Sequence, residues 1–116
     1  MRISYVFAAL PVRHRDEALA WYVRLFGRAA DFLPNDDEAV WRVAETGSVY
    51  LIADADRAGG GEAALVVDDL EALRAELKGR SIETGEVQLI PGAGRKSLLI
   101  DPDGNRISFI DFRIGP

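Results

Sequence analysis

The chain has 116 residues, 48% hydrophobic and 28% charged, a globular balance that excludes a disordered polymer. With no cysteine, it has no disulfides, thiolate nucleophiles or cysteine metal sites. Nineteen acidic against fourteen basic residues give a net charge of −5, and the arginines are scattered. That pattern argues against a nucleic-acid partner, whose affinity rests on clustered cations.

The opening MRISYVFAALPV places Arg2 before a short apolar run with no small-residue cleavage pattern, so it reads as a strand rather than a leader. No stretch approaches the roughly 20 apolar residues that span a bilayer. A cytoplasmic location without membrane contact is expected. Next, Ala18, Leu19, Tyr22, Leu25 and Phe26 recur at helical spacing, which predicts a helix capped by Asp16 and ended by Gly27. Strands are predicted over Asp31–Leu33, Glu38–Ala44 and Ser48–Ala53, with PNDD and ETG as turns.

ADADRAGGG, residues 53–61, is polar and glycine-rich and reads as a link. The pattern then restarts. EAALVV (62–67) repeats FAALPV (7–12), with Ala63-Ala64-Leu65 over Ala8-Ala9-Leu10, and Glu71-Ala72-Leu73 falls over Glu17-Ala18-Leu19. A second helix follows, with Leu70, Leu73, Ala75 and Leu77 on its buried side, Asp68 or Asp69 as its cap and Gly79 as its stop. Strands are predicted over Val87–Ile90, Lys96–Ile100 and Arg106–Asp111, joined by PGAG and DPDG.

The sequence therefore reads as one α+β domain over 1–116, built as repeat 1 (1–54), a linker (55–61) and repeat 2 (62–116). Each repeat is βαβββ. The two form a cup-shaped mixed sheet with one helix packed on each half. Strand alternation sorts the side chains. Ala8, Leu10, Val12, Ala63, Leu65, Val67, Ile107 and Phe109 are expected to face the helices, and Tyr50 with them. Tyr5, Phe7, Ala9, Glu62, Ala64, Arg106, Ser108 and Ile110 are expected in the cup. Laying VYLIAD over ISFID sets Leu51 opposite Ser108. In EAVWRVAE either Trp41 or Arg42 faces the cup, as a stacking wall or an anion clamp, and Trp41 is preferred.

ALAWYVRLFG (18–27), VVDDLEAL (66–73) and DPDGN (101–105), within the duplicated βαβββ pattern, resemble the vicinal oxygen chelate superfamily of glyoxalases, bleomycin-resistance proteins and extradiol dioxygenases. The resemblance covers nearly the whole chain. It implies a cup that in metal-dependent members holds one divalent ion through His and Glu side chains. Carried over, those positions fall on Phe7, Leu51, Glu62 and Ser108. Three of the four are not strong donors, so no metal and no cofactor is expected. His14, the single histidine, reads as a surface residue rather than a ligand.

The resemblance implies bleomycin-resistance-like sequestration of a small, partly aromatic molecule, and a homodimer that completes the cup. The expected ligand-binding set is Tyr5, Phe7, Trp41, Leu51, Glu62, Arg106 and Ser108. An alternative is a metal-free isomerase or lyase with Glu62 as general base, its pKa raised by burial beside Phe7 and Leu51, and Arg42, Arg95 or Arg106 steadying an anion. Another is a regulatory domain whose cup Phe7 and Leu51 have closed. IPGAGRK (90–96) lacks phosphate-loop spacing and reads as a strand connection or a rim lid carrying Arg95 and Lys96.

Overall fold

The structure, a computed structural model, describes residues 1–113. The elements run β1 (Val6–Val12), α1 (Arg15–Phe26), β2 (Glu38–Ala44), β3 (Gly47–Ala53), β4 (Glu62–Val66), α2 (Leu70–Gly79), β5 (Gln88–Ile90), β6 (Gly94–Ile100) and β7 (Arg106–Asp111). The first sheet has the order β1-β3-β2, and the second has β4-β7-β6-β5. In both, the opening strand pairs parallel with the last strand of its half. The α+β architecture of two helix-bearing halves is the one the repeat predicts. Its first half is abridged: the segment Asp31–Leu33 contributes one antiparallel bridge, Phe32 with Val40, rather than a strand.

The apolar stripe of α1 folds as its spacing dictates, with Ala18, Tyr22 and Leu25 buried against the sheet. Gly27 ends the helix in the left-handed region, φ 71°, and its N–H bonds the Val23 carbonyl. The helix begins two residues earlier than Asp16 would set it. His14 is the N-cap and makes no side-chain cap bond, while Asp16 pairs with Arg15 at 2.8 Å. On α2, Asp69 accepts from the Ala72 N–H at 3.1 Å. Gly79 does not stop that helix. It is its last residue, Arg80 is the C-cap, and Ser81 takes the left-handed turn at φ 61°.

One continuous core joins the halves, from Leu10, Tyr22 and Trp41 to Leu70, Leu77, Ile107 and Phe109. DPDGN does more here than turn the chain. Asp101 Oδ1 accepts the N–H groups of Asp103, Gly104 and Asn105, while its Oδ2 accepts the Tyr22 hydroxyl at 2.6 Å. Buried Asn105 donates to the Pro11 carbonyl at 2.8 Å and accepts the Gly61 N–H at 2.7 Å. A turn of the second half thus holds a helix and a strand of the first. Burial pushes the Tyr22 hydroxyl pKa up, and the Asp101 carboxylate beside it adds to that.

Candidate functional site

Register decides which side chains share the open face of the sheets. In the first half Phe7 lies beside Ser48 and Ser48 beside Arg42, and Ala9 lies beside Tyr50 and Tyr50 beside Val40. In the second, Glu62, Arg106 and Ile100 form one row, and Ala64, Ser108 and Leu98 the next. Partners across a ladder point to the same side, so these rows make the cup face.

Aromatic rings gather on the first half of that face. The Tyr5 and Phe7 centroids stand 5.0 Å apart, and Phe7 meets Tyr50 edge-on at 6.0 Å. Tyr5 and Ser48 share a hydroxyl–hydroxyl hydrogen bond of 2.5 Å, which fixes one ring of the group. Phe7 remains 55% exposed. On the second half Glu62 and Arg106 face each other at 3.8 Å, with side chains 71% and 54% exposed.

Leu51 is fully buried on the helix side, because β3 pairs Leu51 with Leu10 and Tyr50 with Ala9. The residue equivalent to Ser108 is therefore Tyr50, and the overlay of VYLIAD on ISFID slipped by one. A one-residue slip exchanges the two faces of a strand, so Tyr50 faces the cup rather than the helices. The signal that finds it is the apolar i, i+2 pair: Val49 and Leu51 match Ile107 and Phe109.

Trp41 also faces the helix side. It is fully buried, its ring lies 5.3 Å from Phe26 and 6.0 Å from Tyr22, and its Nε1–H donates to the Arg28 carbonyl at 3.1 Å. Arg42 takes the cup side. Nor is IPGAGRK a free lid: it forms the β5–β6 hairpin, and Arg95 turns to Asp111 at 3.3 Å. From that segment Lys96, beside Ile110, and the Ile90–Gly94 pair fall on the cup face.

The positions that would ligate a divalent ion are thus Phe7, Tyr50, Glu62 and Ser108, with one carboxylate among them. Such a set does not fit a site that calls for three or four strong donors. Among the described residues no three His, Asp or Glu side chains converge anywhere. Glu62 also lacks the burial that its role as a base requires. The closed-cup arrangement fails on the same geometry, since Phe7 is exposed and Leu51 is on the other face.

Asp111, at the end of β7, is fully buried although charged. Its carboxylate accepts the Leu70 N–H at 3.0 Å at the start of α2, and the Arg113 N–H at 2.7 Å. These bonds, with the Arg113 guanidinium, hold its pKa well below the usual carboxylate range. The group anchors a helix and takes no part in the cup.

No family profile and no curated protein matches the chain. Among solved structures, it is similar to a glyoxalase/bleomycin resistance protein from Catenulispora acidiphila DSM 44928, at 32% identity over 96% of this chain and 100% of that one, with a TM-score of 0.88. The chain belongs to the glyoxalase/bleomycin resistance family. It is also similar to TnmS3, an antibiotic-binding protein from Streptomyces sp. CB03234, at 25% identity over 97% of this chain and 99% of that one, TM-score 0.76. A third fold match is the bleomycin-binding protein of the bleomycin-producing Streptomyces verticillus, solved with copper(II)-bleomycin. It is 20% identical over 97% of this chain and 99% of that one, TM-score 0.76. No helix among the described residues of this family member is long and apolar enough to cross a membrane.

Proposed function

We propose that the protein binds a small, partly aromatic organic molecule on the cup face and holds it unchanged, without metal or cofactor, in the cytoplasm and as a homodimer. The observation that carries this reading is the Tyr5–Phe7–Tyr50 cluster, an aromatic wall open to solvent at Phe7. Apolar walls with a few placed polar groups are the usual small-molecule site, and here Ser48, Ser108 and the Glu62–Arg106 pair supply the polar groups. Antibiotic binding by TnmS3 and bleomycin binding by the Streptomyces verticillus protein support the same class of ligand. The proposed contact set is Tyr5, Phe7, Tyr50, Glu62, Arg106 and Ser108.

Support for pairing comes from apolar side chains left open on the cup side. Val66 is 62% and Ile100 53% exposed, and a second copy would cover them while completing the site.

A thermal-shift screen against aromatic antibiotics and metabolites tests the binding. A ligand at ~100 times its dissociation constant adds about 2.7 kcal/mol, a rise of several degrees. The expected hit loses its effect in Phe7→Ala and is recovered chemically intact by mass spectrometry after incubation. A hit that is converted to product would replace sequestration with catalysis. A hit indifferent to Phe7→Ala and to Tyr50→Ala would place binding elsewhere.

A further inference from the structure

A hollow of about 530 Å³ opens on the helix side of the sheets, where the two halves meet. Ala8 and Val49 line it from the first sheet and Ala63 and Phe109 from the second, with Leu25 of α1 and Leu73 of α2 above them. Tyr5, Phe7 and Tyr50 are not among its lining, so it is separate from the aromatic cluster, although at the seam it reaches Ser48, Ala64 and Val66 of the cup-face rows.

The repeat itself leaves this space. Ala8 and Ala63 are the same position of the Ala-Ala-Leu motif, on the two edge strands that touch where the sheets adjoin. A methyl group from each side cannot fill the width between two helices. Nor can the helices settle inward freely, because their C-termini are tied to one another. Arg80 Nη1 donates to the Leu25 carbonyl at 2.8 Å, while Arg24 donates from Nε to the Arg80 carbonyl at 3.3 Å and from Nη2 to the Ser81 carbonyl at 3.1 Å. Protein interiors tolerate few voids larger than a water molecule, and this one lies within the roughly 300–1,000 Å³ that ligand pockets occupy.

The lining also selects the chemistry. The charged groups at its edge are already paired, Arg80 Nη2 with Glu76 at 2.6 Å. No buried side-chain nitrogen or oxygen among the described residues lacks a partner. A charged ligand would be stripped of water there with nothing to replace it, whereas an apolar one loses little. We infer that the hollow is a second ligand site, distinct from the Tyr5–Phe7–Tyr50 cluster, for an uncharged hydrophobic small molecule.

The probe is N-phenyl-1-naphthylamine, whose fluorescence rises in apolar surroundings. Wild type should bind it saturably. Ala63→Leu should weaken binding about tenfold or more while keeping or raising the melting temperature, since the added side chain occupies empty space. Ala8→Leu, entering from the other half, should act alike and decides the matter if Ala63→Leu does not fold. Phe7→Ala should leave the affinity unchanged. The inference is overturned by absence of saturable binding, by wild-type affinity in the Leu variants, or by loss of binding in Phe7→Ala. Affinity that falls as protein concentration rises would also overturn it, because a second copy would then be the occupant.

Discussion

Single residues carry opposite burdens at neighbouring positions of this chain. Trp41 and Arg42 differ by one place, yet one ring is sealed under α1 and the other side chain is in the open. Trp41→Ala should therefore destabilise the fold by about 3–5 kcal/mol, as large-to-small core changes do. Denaturant unfolding measures this, and a cost near zero would contradict the packing described. Asp111 gives a pH signature. Its folded pKa is lowered, so its stabilisation is complete above the unfolded value of roughly 4 and drains away as pH falls below that. Asp111→Asn should cost stability at pH 7, and the gap to wild type should narrow steadily below pH ~4. A gap that stays constant with pH would mean that the carboxylate's charge contributes nothing.

At the scale of elements, what the sequence makes legible follows from periodicity. The two helices and the strand pattern repeat in amphipathic stripes that survive without any knowledge of partners. Facing is legible in β1, β4 and β7, where the repeated Ala-Ala-Leu motif and the Ile107/Phe109 pair fix the helix-side parity. It failed in β2 and β3, because EAVWRVA and GSVYLIA carry large apolar residues at both parities and only the ladder settles the choice. Tyr50 was lost to the site for that reason. Two helix ends differ from expectation, α1 starting after His14 rather than Asp16 and α2 running through Gly79 to Arg80, while Asp111 and Arg80 add tertiary bonds to the ends that Asp69 and Gly27 already mark. The β5–β6 hairpin depends on backbone approach rather than on turn chemistry alone. A Cβ on Gly94 would stand 2.1 Å from the Asp111 carbonyl oxygen. Gly94→Ala should thus cost about 1–3 kcal/mol by forcing β6 from β7, read as a drop in midpoint of unfolding. Gly92→Ala, with open space around its Cβ position, should be affected only through its positive φ.

The whole molecule is two similar halves held by few but specific ties, and the ties explain why one chain can keep an open face. Asn105 and Asp101 stitch the halves on one side, and Arg24 with Arg80 stitch the helices on the other. The cup face contributes little to this cohesion, so its aromatic and aliphatic residues remain free for a ligand and for a second copy. If pairing covers Val66 and Ile100, light scattering should give about 25 kDa, twice the 12.7 kDa chain. Ile100→Lys with Val66→Lys should bring the mass to that of one chain and leave the circular dichroism unchanged, because both side chains already lie in solvent. Ligand affinity should fall in the same double variant, since each site would lose the wall supplied by its partner. A wild-type chain that stays single at millimolar concentration would remove the dimer from the proposal. Binding at Tyr5, Phe7 and Tyr50 would then have to be achieved by one chain alone, and the exposed valine and isoleucine would call for another ligand-facing role.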